Sequence, residues 1–174
     1  DLLVNVPSRV LYLDCDAIAL RDIAPFFHSD LHGHDIGCVA DAMHFGKYFN
    51  AGVMLLDMDK IRHDGLMAKA RELIAIKKMK HPDQDAMNKI FHKAKQIEFF
   101  PRVYNEQRRI TSSTVIRHFA PQKVWFPFPH VINVKPWEIA KIHNVYHNYE
   151  FDHLLKEMIQ LKKEFSVANA AKFK

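Results

Sequence analysis

Cysteine is almost missing from this chain: Cys15 and Cys38 are the only two in 174 residues. A single pair can build neither a disulfide framework nor a four-cysteine zinc site, and it fits a reducing compartment. Glycine is scarce too, at five residues. No G-x-G-x-x-G, P-loop or G-x-S-x-G pattern occurs, which removes the usual dinucleotide, nucleoside-triphosphate and serine-hydrolase signatures. No apolar run nears the ~18 residues needed to span a bilayer. The opening Asp1–Asn5 has no basic region and no small-residue cleavage site. Neither a membrane-spanning helix nor a signal peptide is therefore expected, and the expected location is cytoplasmic.

What is present is ordinary for a folded domain: 48% apolar and 26% charged residues. Lys and Arg exceed Asp and Glu by 25 to 20, giving +5. A basic balance admits nucleic acid, an anionic membrane face or a phosphorylated substrate. The positive charge collects between Lys60 and Lys95 and in the last twenty residues. Acidic residues form short clusters inside apolar sequence, and chemistry is sought there.

Short apolar runs predict buried strands at Val10–Leu13, Ile36–Ala40 and Val53–Leu56, with a further short strand and a helical turn within Ala17–Phe27. Apolar spacing predicts helices over Gly65–Met79, N-capped by Asp64, and over Asp83–Ala94, N-capped by Asp83. Pro127 and Pro129 mark a break before a helical tail at Asp152–Phe165. This alternation favours an α/β fold.

Asp14-Cys15-Asp16 follows the first strand directly. Strand alternation would send both carboxylates to one side and Cys15 to the other. Carboxyl ends of strands are where open α/β sheets bind ligands. Two close carboxylates repel, and a divalent cation lets both stay ionised. Oxygen donors favour Mg²⁺ or Mn²⁺ over zinc. One aspartate capping a turn and the other facing solvent is an equally good account of the motif in isolation.

Its context carries a resemblance. RVLYLDCDAIALRDIAPFF (Arg9–Phe27), YFNAGVMLLDMDKIR (Tyr48–Arg62), HPDQDAMN (His81–Asn88), PRVYN (Pro101–Asn105) and VIRHFAPQKVW (Val115–Trp125) come in that order. Together they resemble family-8 retaining glycosyltransferases, which include bacterial lipopolysaccharide galactosyl- and glucosyltransferases and glycogenin. The resemblance implies a GT-A-like mixed sheet flanked by helices. It implies transfer of galactose or glucose from a UDP-hexose to a saccharide or lipid-linked saccharide acceptor, in lipopolysaccharide or surface glycan synthesis. By position, Asp14, Asp16 and His118 would hold the metal, with Mn²⁺ favoured and Mg²⁺ the alternative, because the donor set mixes oxygen and imidazole. Lys123 would meet the diphosphate, and Asp41, Asn50, Ala51 and Asp83 would line the donor sugar pocket. Gln84 stands at the family's candidate nucleophile position. An amide is a poor nucleophile, so front-face attack is favoured over double displacement.

The last block departs from the family pattern, which has a glycine near the phosphates and ends Lys-Pro-Trp. Here Pro121 stands near the glycine position and Val124 replaces the proline. The family also precedes its metal motif with an N-terminal nucleotide-binding region, and only a short segment precedes Asp14 here. The fold is accordingly expected to be incomplete at the N-terminus. Residues 1–126 are assigned to the catalytic domain and 127–174 to a C-terminal extension with a basic helical tail.

Two other readings stay open. A haloacid-dehalogenase-type phosphatase also places Asp-x-Asp after a strand, but it wants Thr or Val where Ile18 stands and a later acid pair that Asp83-Gln84-Asp85 does not supply. A non-catalytic basic module for membrane or nucleic acid would use the lysine excess. No nucleic-acid motif is recognisable, and no nucleic-acid partner is expected. His143 and His147 are four apart, a spacing seen in zinc sites, and like His28, His32 and His34 are better read as surface histidines. The apolar stripe of the tail packs on a core or, with its lysines, brings the protein to the inner face of a membrane.

Overall fold

The computed structural model describes residues 7–41 and 48–172, with side chains described through residue 166. The opening Asp1–Asn5 segment and the last two residues of the tail lie outside the described residues. The chain divides into two compact units: Asp1–Glu106 with Ser112–His118, and Gln107–Thr111 with Phe119–Lys174.

In the first unit, Arg9–Leu13 forms β1, Ala17–Ala19 forms β2 and Ala24–Phe27 makes one helical turn, α1. Ile36–Ala40 is β3 and Phe49–Asp57 is β4. Met58–Asp64 (α2), Leu66–Ile76 (α3) and Pro82–Ala94 (α4) follow, then Ile97–Phe99 (β5), a 3₁₀ turn at Arg102–Tyr104 and Ile116–His118 (β6). The main sheet runs β1–β4–β3–β5, antiparallel except for the β3–β5 pair. This is the expected α/β class with a mixed sheet.

Strand β4 organises the unit because it is buried on both faces. Val53 and Leu55 pack with Phe26, Leu31 and Ile116, whereas Met54 and Leu56 pack with Ile61, Leu66, Ala70 and Phe91. Period-2 alternation between two apolar layers is what a central strand requires. Asn88 on α4 pins this strand: its amide oxygen accepts from Phe49 N at 2.7 Å, and its nitrogen donates to Phe49 O and Gln84 O, both at 2.9 Å.

Several local expectations are corrected. Strand β1 is an edge strand and only half-buried, with Tyr12 exposed. The helix expected over Gly65–Met79 is present as α3, and an unexpected helix, α2, precedes it, because the Asp57 carboxylate accepts from Lys60 N. Asp64 ends α2 rather than capping α3, and Gly65 turns the chain between them at φ 64°. Glycine adopts that left-handed conformation without penalty. Asp83 does not cap α4 either. The cap is His81, whose N–H is met by the Asp85 carboxylate, and Pro82 takes the first helical position, where its missing N–H costs nothing.

In the second unit, Gln122–Val124 (β7) and His130–Ile132 (β8) form an antiparallel hairpin around the two prolines, followed by Ile139–Tyr146 (α5) and Asp152–Lys172 (α6). The tail helix thus runs beyond the expected Phe165. His143 and His147 do not share a helix face, because His147 ends α5 in the left-handed region (φ 49°). His143 bonds the Asp152 carboxylate at 2.7 Å and stacks on Tyr149.

Candidate functional site

The carboxylates converge through a turn, not through strand alternation. Strand β1 stops at Leu13, Asp14 N donates to Gly52 O at 2.8 Å, and Ala17 N closes the turn onto Asp14 O at 2.9 Å. Strand β2 then pairs with β6 in a register that sets Ala17 opposite His118. That pairing brings His118, about a hundred residues away in sequence, beside Asp16. Its Nε2 lies 3.2 Å from Asp16 Oδ1 and 3.7 Å from Asp14 Oδ2. The three side chains offer ligand atoms that all lie within 4.8 Å of one another.

His118 and Asp16 are buried, while Asp14 is partly open to solvent. Tyr12 donates to Asp14 Oδ1 at 2.8 Å. Losing the phenol proton would break that bond beside a carboxylate, so the Tyr12 hydroxyl is pushed up to about 12. The negative charge of Asp83, exposed on the first turn of α4, acts in the same direction.

The residues fit a hard divalent cation. Two carboxylates and one imidazole make a mixed oxygen and nitrogen donor set suited to Mn²⁺. Gly52 keeps the space that the donors need: a Cβ there would sit 2.2 Å from His118 Cε1 and 2.7 Å from Asp14 Oδ2.

A second group adjoins this one through β4. Gln84 Oε1 accepts from Ala51 N at 2.9 Å and from Asn50 Nδ2 at 3.2 Å, and Gln84 Nε2 reaches the Tyr48 hydroxyl at 3.2 Å. Tyr48 in turn donates to Asp85 Oδ1 at 2.5 Å. Burial, then the bond to Asp85, pushes the Tyr48 hydroxyl up to about 12. Asp41 joins by its backbone, its N–H donating to Tyr48 O at 2.7 Å. Asn50 Oδ1 accepts from Gly52 N and from Asn105 Nδ2, both at 3.0 Å, and Asn105 Oδ1 meets His118 Nδ1 at 3.1 Å.

The structure thus gathers Asp14, Asp16 and His118, and separately Asn50, Ala51 and Gln84. Lys123 lies exposed on β7, in the second unit, where it borders a depression of about 230 Å³ with Trp125 and His130. Sequence reasoning passed over Tyr12, Tyr48 and Asn105. Asn105 closes a motif block that had been recognised, so a signal for it was in hand. It also passed over Lys135-Pro136-Trp137, which reproduces the family ending verbatim. Within the second unit the Lys135 ammonium donates to Phe119 O at 3.2 Å, the carbonyl of the residue that follows His118 in the chain.

Comparison with known proteins agrees with this frame. The sequence profile described as "Glycosyl transferase family 8" matches residues 1–138, so the match runs past Trp125 and takes in Lys135-Pro136-Trp137. The chain is 28% identical to a "Lipopolysaccharide 1,2-glucosyltransferase" of Escherichia coli K12, an alignment that covers 91% of this chain and 56% of that protein. It spans little more than half the length of that relative. Among solved structures, the glycosyltransferase GlyE of Streptococcus pneumoniae superposes with a TM-score of 0.63 at 21% identity, covering 91% of this chain and 44% of GlyE. The galactosyltransferase LgtC, solved with donor and acceptor sugar analogues, gives 0.60 at 20% identity, covering 89% of this chain and 62% of LgtC. The fold is therefore the GT-A-like fold of those enzymes. Family membership also leaves the phosphatase and basic-module readings without support. The chain belongs to glycosyl transferase family 8.

Proposed function

We propose that this protein takes part in metal-dependent, retaining transfer of a hexose, galactose or glucose, from a UDP-sugar to a saccharide acceptor. By analogy with the relative named a lipopolysaccharide glucosyltransferase, the acceptor would belong to lipopolysaccharide or another surface glycan. The observation that carries the reading is the convergence of Asp14, Asp16 and His118 on one small volume kept open by Gly52.

Asp14, Asp16 and His118 would hold Mn²⁺, with Mg²⁺ the weaker fit. When bound, the ion supplies charge neutralisation to the departing diphosphate. A lysine would share that task as a point charge. Lys123 is one candidate. Lys135 is favoured, because it carries the family ending. Asp41, Asn50, Ala51 and Asp83 would face the donor sugar. The Gln84 carbonyl oxygen already accepts two hydrogen bonds, which suits a fixed amide that positions the sugar better than a covalent nucleophile. Front-face attack follows. The bond from the anomeric carbon to the phosphate oxygen breaks, the acceptor hydroxyl oxygen bonds on the same face, and its proton passes to the leaving diphosphate.

The test is transfer or hydrolysis of radiolabelled UDP-galactose and UDP-glucose with Mn²⁺, with NMR assignment of the product anomer. Asp16→Asn is expected to lower the rate by roughly 100-fold or more, as loss of a metal ligand should. An Asp16→Asn protein as active as the parent, or an inverted product, would overturn the reading.

A further inference from the structure

The hydrogen bonds around His118 can be oriented without assuming any protonation state. Gly52 N is a backbone amide and can only donate, so the Asn50 atom it meets at 3.0 Å must be the carbonyl oxygen, Oδ1. That oxygen also faces Asn105 at 3.0 Å, so the Asn105 atom there must be the amino group, Nδ2. The other end of the Asn105 amide is then the oxygen, and it lies 3.1 Å from His118 Nδ1. An oxygen acceptor there demands that Nδ1 carry the proton. Nε2 is left facing the Asp14 and Asp16 carboxylates.

The end of the relay near Gln84 is fixed in the same way. Ala51 N can only donate, so the Gln84 atom beside it is Oε1, and Asn50 Nδ2 donates to that same oxygen. The Asn50 amide is thus set by two backbone amides, one at each end. The backbone also holds Asn105 in place, because Glu106 pairs with Arg117 and His118 N donates to Glu106 O at 3.0 Å. Asn105 is 1% exposed and His118 3% exposed, so no water competes for these bonds.

We propose that Asn105 is a positioning residue, which holds the His118 imidazole in the Nδ1–H tautomer with Nε2 ready for the metal. This rests on the metal-site reading above. In the opposite tautomer, Nδ1 would set a lone pair against the Asn105 oxygen inside a dry site, and Nε2 would carry a proton where the cation belongs. The chain Asn105–Asn50–Gln84 also links the imidazole to the amide on the sugar side, so the metal group and the sugar group are held as one hydrogen-bonded unit.

The experiment has two arms. In the first, ¹⁵N-histidine NMR of the metal-free protein should show a proton on His118 Nδ1. A bare Nδ1 overturns the proposal whether or not any variant folds. In the second, Mn²⁺ affinity is measured by electron paramagnetic resonance for the parent, Asn105→Leu and Asn105→Asp, with thermal melts as a folding control. Loss of an orienting partner costs ~10–100-fold in metal affinity, so Asn105→Leu should fall in that range. Asn105→Asp keeps an acceptor for Nδ1–H but loses the donor to Asn50 Oδ1, so it should retain more Mn²⁺ affinity than Asn105→Leu. A folded Asn105→Leu protein with parental Mn²⁺ affinity would refute the role. If the parent binds no Mn²⁺ while its His118 carries the Nδ1 proton, the metal reading fails and the tautomer assignment stands.

Discussion

The sheet unit and the C-terminal unit treat their unusual side chains in opposite ways. In the first, polar groups are drawn inside: Asp35, Asn88, Asn105, Arg117 and His118 are all buried. In the second, apolar groups are turned out along the hairpin, where Trp125, Phe126, Phe128 and Val131 are 59–84% exposed. A buried polar group is tolerable only when its partners are in place, and each partner then fixes its geometry. The amides around β4 obey this rule, and so they can hold ligand atoms in one arrangement. An exposed aromatic residue meets no such demand. The site chemistry accordingly sits where burial enforces position, and substitutions should be felt far more strongly there.

The sharpest way to break that contrast is Gly52→Ala. The added methyl would lie 2.2 Å from the His118 ring, which is packed and tied to Asn105, so the ring cannot yield cheaply. Misplacing a ligand by about 1 Å costs on the order of 100-fold in rate. Sugar transfer and Mn²⁺ affinity should both drop by about that factor, while overpacking lowers stability by about 1–3 kcal/mol. Parental Mn²⁺ affinity in Gly52→Ala would show that the ligands are not held rigidly, and the contrast would collapse.

How much of this was legible beforehand follows from the range of each interaction. Strand β3 and the short β2 were readable from local apolar runs, and α4 to within one residue. Helix α3 was readable to within a few residues, but α2 before it was not, because it is short and is set by the Asp57 cap and the left-handed Gly65. Asp14 and Asp16 could be singled out from their place after a strand. Their meeting with His118 depends on the β2–β6 register, a long-range pairing that no periodicity encodes, and only the resemblance to family 8 pointed to it. Asn105 and Tyr48 were missed for a related reason: each matters through what it touches. Lys135 was missed because the hairpin β7–β8 separates it from His118 and a similar Lys-x-Trp stands earlier, at Lys123–Trp125.

A middle-sized effect should come from Asp35, a buried polar group whose burial works against it. Desolvation, then the charge of Asp64, pushes its carboxyl up to about 6, and Lys60 at 4.0 Å offsets only part of this. In its protonated form it can donate to Asp64. The folded protein therefore holds this proton more tightly than the unfolded chain, whose value is near 3.8. Between those values the folded state binds more protons, so the Asp35 contribution to stability falls as pH rises from about 4 to 6 and stays low above that. Asp35→Asn should remove this dependence. It should melt higher than the parent at pH 7, by on the order of 1 kcal/mol, and lose that advantage near pH 4. Thermal melts of both proteins across that range are the check. An equal gap at both ends would mean that Asp35 titrates normally.

The smallest effect is expected on α6, and it sharpens the comparison within one helix. The apolar stripe of the tail is docked only at its start: Leu155 is 4% exposed and Leu154, Met158 and Ile159 are intermediate, whereas Leu161 is 46% and Phe165 67% exposed. Lys162 leans on Trp137, with its ammonium 4.7 Å from the ring centre, so even this outer stretch is anchored by a cation rather than by its apolar residues. Truncating a buried leucine leaves a cavity and costs about 2–5 kcal/mol, whereas an exposed apolar residue away from any partner changes stability by about 0.5 kcal/mol or less. Leu155→Ala should therefore lower the melting temperature clearly, while Phe165→Ser should leave it unchanged within error. If Phe165→Ser instead destabilised as strongly as Leu155→Ala, the outer half of the stripe would be covered in solution. Sedimentation with anionic and neutral vesicles would then ask whether a bilayer is what covers it: release of Phe165→Ser from anionic vesicles at a salt concentration where the parent stays bound would assign that surface, and equal binding would exclude it.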